Sequence, residues 1–336
     1  MENKPADVPY CGVRKDKIQK ARPILNEENF KHLYNFIVRR YMIHKRKDVK
    51  KLPPPWTKDP ILREFKFTNV RREHDRETRW VIDNIVNHPT LTYEEKLMNI
   101  ILFRMYNKSA TLEIFGGPIH FPIKDFMFKY IEDKLKSKAY DDPKYAFFTN
   151  AFLTCGLKVA LGNMEHTNDK FMPMRVIKFA KYLWEDGVID KIKSARNQKE
   201  VFEAVKSYNG LGEFLSYQIF VDFTYIPEFP FSENEFTVSG PGCIKGLRYV
   251  FKDFDGLNYD EALFWLRDNW DRLMKERGWK WEPDKLFSDL PPYDRHMNVM
   301  SLENCHCEIS KYIRAVTGTG RPKNKYKYRG ERATYE

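Results

Sequence analysis

The chain has 336 residues, 42% hydrophobic and 15% aromatic, which is ample for a globular protein with one large or two modest cores. Its 58 Lys and Arg against 47 Asp and Glu give a formal charge of +11, so nucleic acids, nucleotides and anionic membrane surfaces are the polyanions to consider, and charge alone does not choose among them. No charged-then-apolar leader follows Met1 and no apolar run is long enough to cross a bilayer, which excludes secretion and membrane spanning and leads to the expectation of a cytoplasmic protein.

In chain order, the first thirty or so residues are polar and mixed, and Lys51-Leu52-Pro53-Pro54-Pro55-Trp56 reads as a stiff extended strap because consecutive prolines block helix. Residues 1–58 are therefore expected to be an extension, 59–315 a helical domain and 316–336 a basic tail. Arg71, Asp75 and Arg79 stand at i, i+4 and i+8, which predicts one helical face; the same spacing is that of ordinary exposed ion pairs. Thr92-Tyr93-Glu94-Glu95 has the form of a capping box, followed by Leu97, Ile100, Ile101 and Met105 at helical spacing. Helical periodicity recurs at Ile123, Phe126, Met127, Tyr130 and Ile131, at Val176, Phe179 and Leu183, and at Ala262, Leu263, Leu266, Trp270 and Leu273. With no series of alternating strands, the fold class is read as all-α, with about ten helices by usual helix and loop lengths.

Val201 to Tyr208, then Asn209-Gly210-Leu211-Gly212, then Glu213 to Phe220 reads as helix, glycine hairpin, helix. Two glycines around one apolar residue let the turn reach positive φ, while the amides opening the second helix can hold a phosphate, as in a helix-hairpin-helix element. Such a short turn also occurs in many other helical proteins. Farther on, Ser239-Gly240-Pro241-Gly242 with Lys245 has the make-up of an anion pocket or of an ordinary turn. The five cysteines, Cys11, Cys155, Cys243, Cys305 and Cys307, are odd in number and scattered, which suits free thiols. Cys305-His306-Cys307 lies in a helical stretch where adjacent side chains diverge, so no metal centre is expected there. In the tail, Arg321, Lys323, Lys325, Lys327, Arg329 and Arg332 interleave with Tyr326 and Tyr328, which suits either a solvated segment or a phosphate backbone with bases to stack on.

Several of these segments together resemble the α-glutamyl/putrescinyl thymine pyrophosphorylase group, amino-acid:DNA transferases of phage thymine hypermodification, and the related helical domain of hydroxymethyluracil-DNA kinases. They are Phe67 to Arg79, Phe103 to Lys108, Gly210 to Asp222, Ser239 to Gly246 and Asn304 to Tyr312, so that the resemblance runs over roughly residues 60 to 330. It implies a multi-helical, DNA-glycosylase-like fold. Where helix-hairpin-helix glycosylases carry a catalytic aspartate after the second hairpin helix, the segment Glu235 to Leu247 has none, which disfavours simple base excision.

The implied reaction is displacement of pyrophosphate from a pyrophosphorylated hydroxymethyluracil in double-stranded phage DNA by an amino acid or putrescine, in an infected bacterial cell, protecting the genome from host nucleases. No Gly-x-x-x-x-Gly-Lys-Ser/Thr loop occurs in the sequence, so the kinase of such a pathway is expected to be another protein. The base must be flipped from the stack to expose its exocyclic carbon. Arg71, Arg72, Arg104, Lys108 and Lys245 are the cations expected to meet the growing pyrophosphate charge. Asp75 and Asp222 are the expected bases for the attacking amine. Asn69, Asn107, Gln218, Gly240 and Gly242 complete the expected pocket, with Phe214, Gln218 and Asp222 on one helical face. Gly210, Gly212, Arg321, Lys323 and Lys325 are expected on the DNA backbone. Glu308 and Lys311 either serve the amine or pair locally. No prosthetic group is evident, and magnesium could assist pyrophosphate departure without dedicated ligands. An accessory to the kinase and a non-catalytic DNA-binding module are the rival readings.

Overall fold

The computed structural model describes residues 11–149 and 155–326. The side chain of Cys155, and Lys327, Tyr328, Arg329 and Arg332 of the tail, lie outside the described residues. The chain divides into two compact units: Met1–Asp75 with Glu233–Glu336, and the continuous stretch Arg76–Ser232.

The discontinuous unit opens with α1 (Lys15–Lys20), strand β1 (Ile24–Leu25), α2 (Glu27–His44) and α3 (Pro60–Glu64). The Asn26 side chain accepts the Asn29 amide and so caps α2, and Glu27 and Glu28 sit favourably against the positive end of its dipole. Phe30, Leu33, Phe36, Ile37 and Tyr41 form the face of α2 that enters the core. Residues expected as a mere extension thus supply a central helix of this unit. Asp59 accepts the amides of Ile61 and Leu62, with Pro60 in the first turn where its missing N–H costs nothing, and these fix the start of α3.

The continuous unit comprises α4 (Arg76–Val81), α5 (Tyr93–Tyr106), α6 (Ser109–Glu113), α7 (Asp125–Asp141), α8 (Cys155–Asn163), α9 (Met172–Glu185), α10 (Val188–Lys193), α11 (Gln198–Lys206) and α12 (Glu213–Phe223). The capping box is formed as expected: Thr92 Oγ1 accepts the Glu95 amide and Glu95 Oε2 accepts the Thr92 amide. Every residue of α5 from Leu97 to Tyr106 is buried, the condition of a helix at the centre of its unit. Polar Asn99 is tolerated there because it exchanges hydrogen bonds with the backbone of Ile119. In α7 the expected apolar face is displaced: Ile131 and Leu135 are buried, whereas Phe126 and Tyr130 are exposed and Ile123 precedes the helix.

Helices α11 and α12 flank the glycine turn read from the sequence. Gly210 has φ +95°, and a Cβ there would lie 3.1 Å from both Ala160 Cβ and Leu157 Cδ1, so backbone and space both require glycine. Leu211 is the fully buried anchor of the turn. Gly212 has ordinary extended backbone at the start of α12, where a side chain would meet nothing.

The chain returns to the first unit with α13 (Pro241–Val250), strand β2 (Phe251–Asp253), α14 (Tyr259–Glu276), α15 (Pro283–Leu286) and α16 (Val299–Val316). Among the described residues the only sheet is the antiparallel β1–β2 pair, in which Leu25 faces Phe251, so the all-α expectation holds apart from this clip. The helices exceed the expected number because short ones such as α3, α6 and α15 have too few turns to show periodicity. Helices α13 and α16 meet at Gly246, where a Cβ would fall 2.0 Å from the His306 carbonyl oxygen. Gly246→Ala is therefore expected to force the two helices apart and to destabilise the protein by about 1–3 kcal/mol, read as a lowered urea midpoint.

The tail begins docked. The Lys66 amide donates to Asn324 O, the Tyr326 amide to Glu64 O, and Lys325 pairs with Glu64 at 2.7 Å. No helix among the described residues is long and apolar enough to cross a membrane.

Candidate active site

The stretch from Asn69 to Asp75 is not the helix its charge spacing suggested. Arg72–His74 make a single tight turn, Asp75 is extended at φ −74° and ψ 142°, and α4 starts only at Arg76. Arg71, Asp75 and Arg79 consequently share no helical face. The physical reason is local competition: Asp75 Oδ1 accepts the Asn69 amide at 3.3 Å and Asn69 Nδ2 at 2.7 Å. Asn69 Nδ2 also donates to the His74 carbonyl, and Asn304 Nδ2 on α16 donates to the Asn69 carbonyl. Burial pushes the Asp75 carboxyl above its usual range, with the Asn69 hydrogen bonds opposing.

This turn delivers Arg71 into the interior. Arg71 is fully buried; its Nη2 donates to the carbonyls of Asp294 and His296, and its guanidinium lies 5.3 Å from the centre of the Phe287 ring. Nη1 stands 3.2 Å from Asp294 Oδ1 without hydrogen-bond alignment, and buried Nε has no hydrogen-bond partner among the described residues. Three carboxylates act on this one cation: Glu73, Asp294 and Glu233. Glu233 Oε1 accepts from Asn298 Nδ2 at 2.6 Å, while Oε2 is buried without a partner among the described residues. Burial, reinforced by the charge of Glu233, pushes Glu73 up to about 8, and burial raises Glu233 as well. His296 is held below its ordinary value by burial and then by Arg71.

A second set of acids lies on α16. Burial pushes Glu303 up to about 7; its Oε1 accepts from Cys307 Sγ at 3.2 Å, and the Gly240 amide donates to its carboxylate. Glu308 is buried with a raised affinity for its proton, and Lys311 pairs with it at 2.5 Å, the local i, i+3 pairing. The Ser239 amide donates to Asp260 Oδ1. Two amides of the Ser239–Gly242 segment, one contributor to the expected anion pocket, thus face carboxylates of the chain itself. A Cβ on Gly242 would stand 3.6 Å from Cys307, and Lys245 is exposed on α13.

The sign of the stability effect follows from these acids. A carboxyl whose affinity for protons is higher in the folded chain than in the unfolded one stabilises the fold below its unfolded pKa, and that stability is lost as pH rises through the folded value. With Glu73 near 8 and Glu303 near 7, the ligand-free protein is expected to lose stability steadily between about pH 5 and 8. Thermal melting across that range checks this; a melting temperature rising toward pH 8 would refute it.

The remaining expected residues lie in the continuous unit. Arg104 on α5 and Asp222 on α12 form a buried bidentate pair, Nε to Oδ2 at 2.5 Å and Nη2 to Oδ1 at 2.8 Å. Arg104 also donates to Asn107 Oδ1 at 2.5 Å and to Thr78 Oγ1 at 3.3 Å. Asn107 ends α5 in the left-handed region at φ 48°. Both Asp222 oxygens are engaged by Arg104. Lys108 donates to the Ala146 carbonyl and lies over the Tyr145 ring at 4.0 Å. Gln218 is buried in α12, whereas Phe214, on its first turn, is 43% exposed and does not share the buried face. Arg321, Lys323 and Lys325 are exposed. The sequence singled out Arg71, Arg72 and Asp75 in this stretch, while Glu73, Glu233, Asp294 and Glu303, which the structure sets beside them, were not among its candidates. Glu73 had a signal, an acid between basic residues in a short polar stretch; Glu233 and Asp294 had none, because only folding brings them to Arg71.

The fold and site define a helical, two-unit protein whose discontinuous unit encloses an arginine among excess carboxylates. The chain belongs to the family described as 5-hmdU DNA kinase, helical domain, whose model matches residues 27–321. It is similar to a 5-hmdU DNA kinase of Bacillus phage SP10, 24% identical over 350 residues that cover 98% of this chain and 53% of that protein. The chain therefore spans about half the length of this curated relative. No solved structure matches it.

Proposed function

We propose that the chain is a transferase acting on hydroxymethyluracil in phage DNA, with the Arg71 cluster as the place where an amine displaces pyrophosphate. The observation that supports it is a pair of buried atoms without hydrogen-bond partners among the described residues, Glu233 Oε2 and Arg71 Nε, on side chains of opposite charge. Buried polar groups left unmatched by the protein call for a ligand or water. A molecule carrying both an ammonium and a carboxylate, as an amino acid does, matches the two. The excess of acids over arginine in a protein of net charge +11 further favours a cationic amine over a second anion.

In this reading Glu73, poised near 8, takes the ammonium proton. The amine nitrogen attacks the exocyclic carbon of the flipped base, the bond from that carbon to the ester oxygen breaks, and pyrophosphate departs with its electron pair. Arg72, Lys245 and the exposed Arg321, Lys323 and Lys325 supply positive charge for phosphates, and the Gly210–Gly212 turn supplies amides for the DNA backbone. Arg104 and Asp222 hold α5 to α12 instead of acting on the amine.

The test is incubation of the purified chain with hydroxymethyluracil DNA already converted to its pyrophosphate ester, together with amino acids and polyamines, followed by mass spectrometry of the nucleosides. A new amine-linked thymidine is expected; intact ester in the presence of folded protein removes the proposal. The name of the phage relative favours a second reading, a DNA-recognising partner of kinase chemistry. That reading predicts phosphorylation of hydroxymethyluracil DNA only with ATP and a kinase component.

A further inference from the structure

A different group of side chains in the same unit has the donor set of a metal site. His44 closes α2, His74 ends the tight turn after Arg71, and Asp289 lies in the loop after α15. One ligand-capable atom from each lies within 4.8 Å of the others. His44 Nε2 is 3.4 Å from Asp289 Oδ2, and its other ring nitrogen, Nδ1, is 3.2 Å from Asp48 Oδ2. Tyr41 O–H donates to Asp289 Oδ2 at 2.9 Å. A histidine oriented by one carboxylate, beside a second imidazole and an acid that is itself held by a hydroxyl, is the arrangement by which proteins fix metal-binding imidazoles.

We propose that His44, His74 and Asp289 bind a divalent ion of the zinc class, with Asp48 and Tyr41 as its supporting shell. Two imidazoles and one carboxylate suit zinc or cobalt, whereas magnesium prefers oxygen donors and water. Three protein ligands leave one position of a tetrahedral ion for water or another oxygen. The two imidazoles stack at 3.7 Å with planes 9° apart, so their in-plane lone pairs lie in separate parallel planes and do not meet at one point. Loading therefore tilts one ring, and the stack opens. The ion would tie the end of α2 and the loop after α15 to the turn that carries Arg71, Glu73 and Asp75, a role independent of the transfer reaction proposed above.

The experiment uses the full chain stripped with EDTA and titrated with cobalt(II), read by visible d–d absorption and by histidine ring resonances, with zinc(II) as competitor. Saturable tetrahedral bands displaced by zinc, and a higher melting temperature with zinc, are expected. His74→Gln and Asp289→Asn should abolish the bands. Asp48→Asn, at a partly exposed position, should weaken binding by about 10–100-fold. His166→Gln, in the other unit, should leave the titration unchanged. Absent bands and an unchanged melting temperature in the wild-type chain would overturn the proposal. Bands that persist in His74→Gln and Asp289→Asn would overturn it equally, by placing the ion elsewhere.

Discussion

Glu73→Gln is expected to lower the rate of the proposed amine transfer by roughly 10²–10⁴-fold, the range for loss of a general base. The expectation rests on position and protonation together: Glu73 is half-buried in the electrostatic field of Glu233, Asp294 and Arg71 and its carboxyl is pushed up to about 8. Wild-type transfer should accordingly rise with pH toward about 8, as Glu73 ionises, and this limb should vanish in the variant. Stability should move the other way. Replacing an acid whose folded proton affinity is raised by a neutral amide removes a repulsion, so the variant should melt higher than wild type at pH 8. A variant with more stability and less activity cannot owe its loss to misfolding. If the pH limb survives the substitution, Glu73 is not the base.

The largest effect on stability is expected at Arg104 and Asp222. Each is fully enclosed, and truncating either to alanine leaves the other as an uncompensated buried charge, at a cost of about 3–5 kcal/mol. The double replacement Arg104→Met with Asp222→Leu removes both charges and should recover much of that loss, because a packed apolar pair of similar volume is often as stable as the ion pair. Urea unfolding of the two single variants and the double variant measures the coupling directly. Independent, additive losses would show that the pair is not the unit described, and a rate loss in Asp222→Asn without destabilisation would restore Asp222 as a candidate base.

The helices were legible wherever local chemistry and periodicity agreed. The capping residues Thr92 and Glu95 and the apolar series of α5, α9 and α14 stand in the structure as they read in the sequence. The turn at 69–75 was misread because i, i+4 charges fit an exposed helix, and only the hydrogen bonds from Asn69 to Asp75 show why the backbone breaks there. Arg71 stood out in the sequence as a candidate cation, since its segment is dense in polar residues. Its environment did not, because Asp294 and His296 reach it from more than two hundred residues away. The same limit applied to the Ser239–Gly242 segment: glycine content suggested an anion, and the anions facing its amides are the side chains of Asp260 and Glu303.

The interruption of one unit by the other sets an order on how the protein can be made. Residues 76–232 are contiguous and can complete their core as they leave the ribosome, N-terminal units generally folding first. The earlier segment cannot. Helix α2 emerges with its apolar face bare and finds its partners in α13 and α16 only after the whole intervening unit has been synthesised. Throughout that interval the nascent chain displays Phe30, Leu33, Phe36 and Ile37 to solvent, a surface suited to chaperones. Arg71 waits equally long for Glu233 and Asp294, so this buried charge cluster is among the last features of the molecule to form.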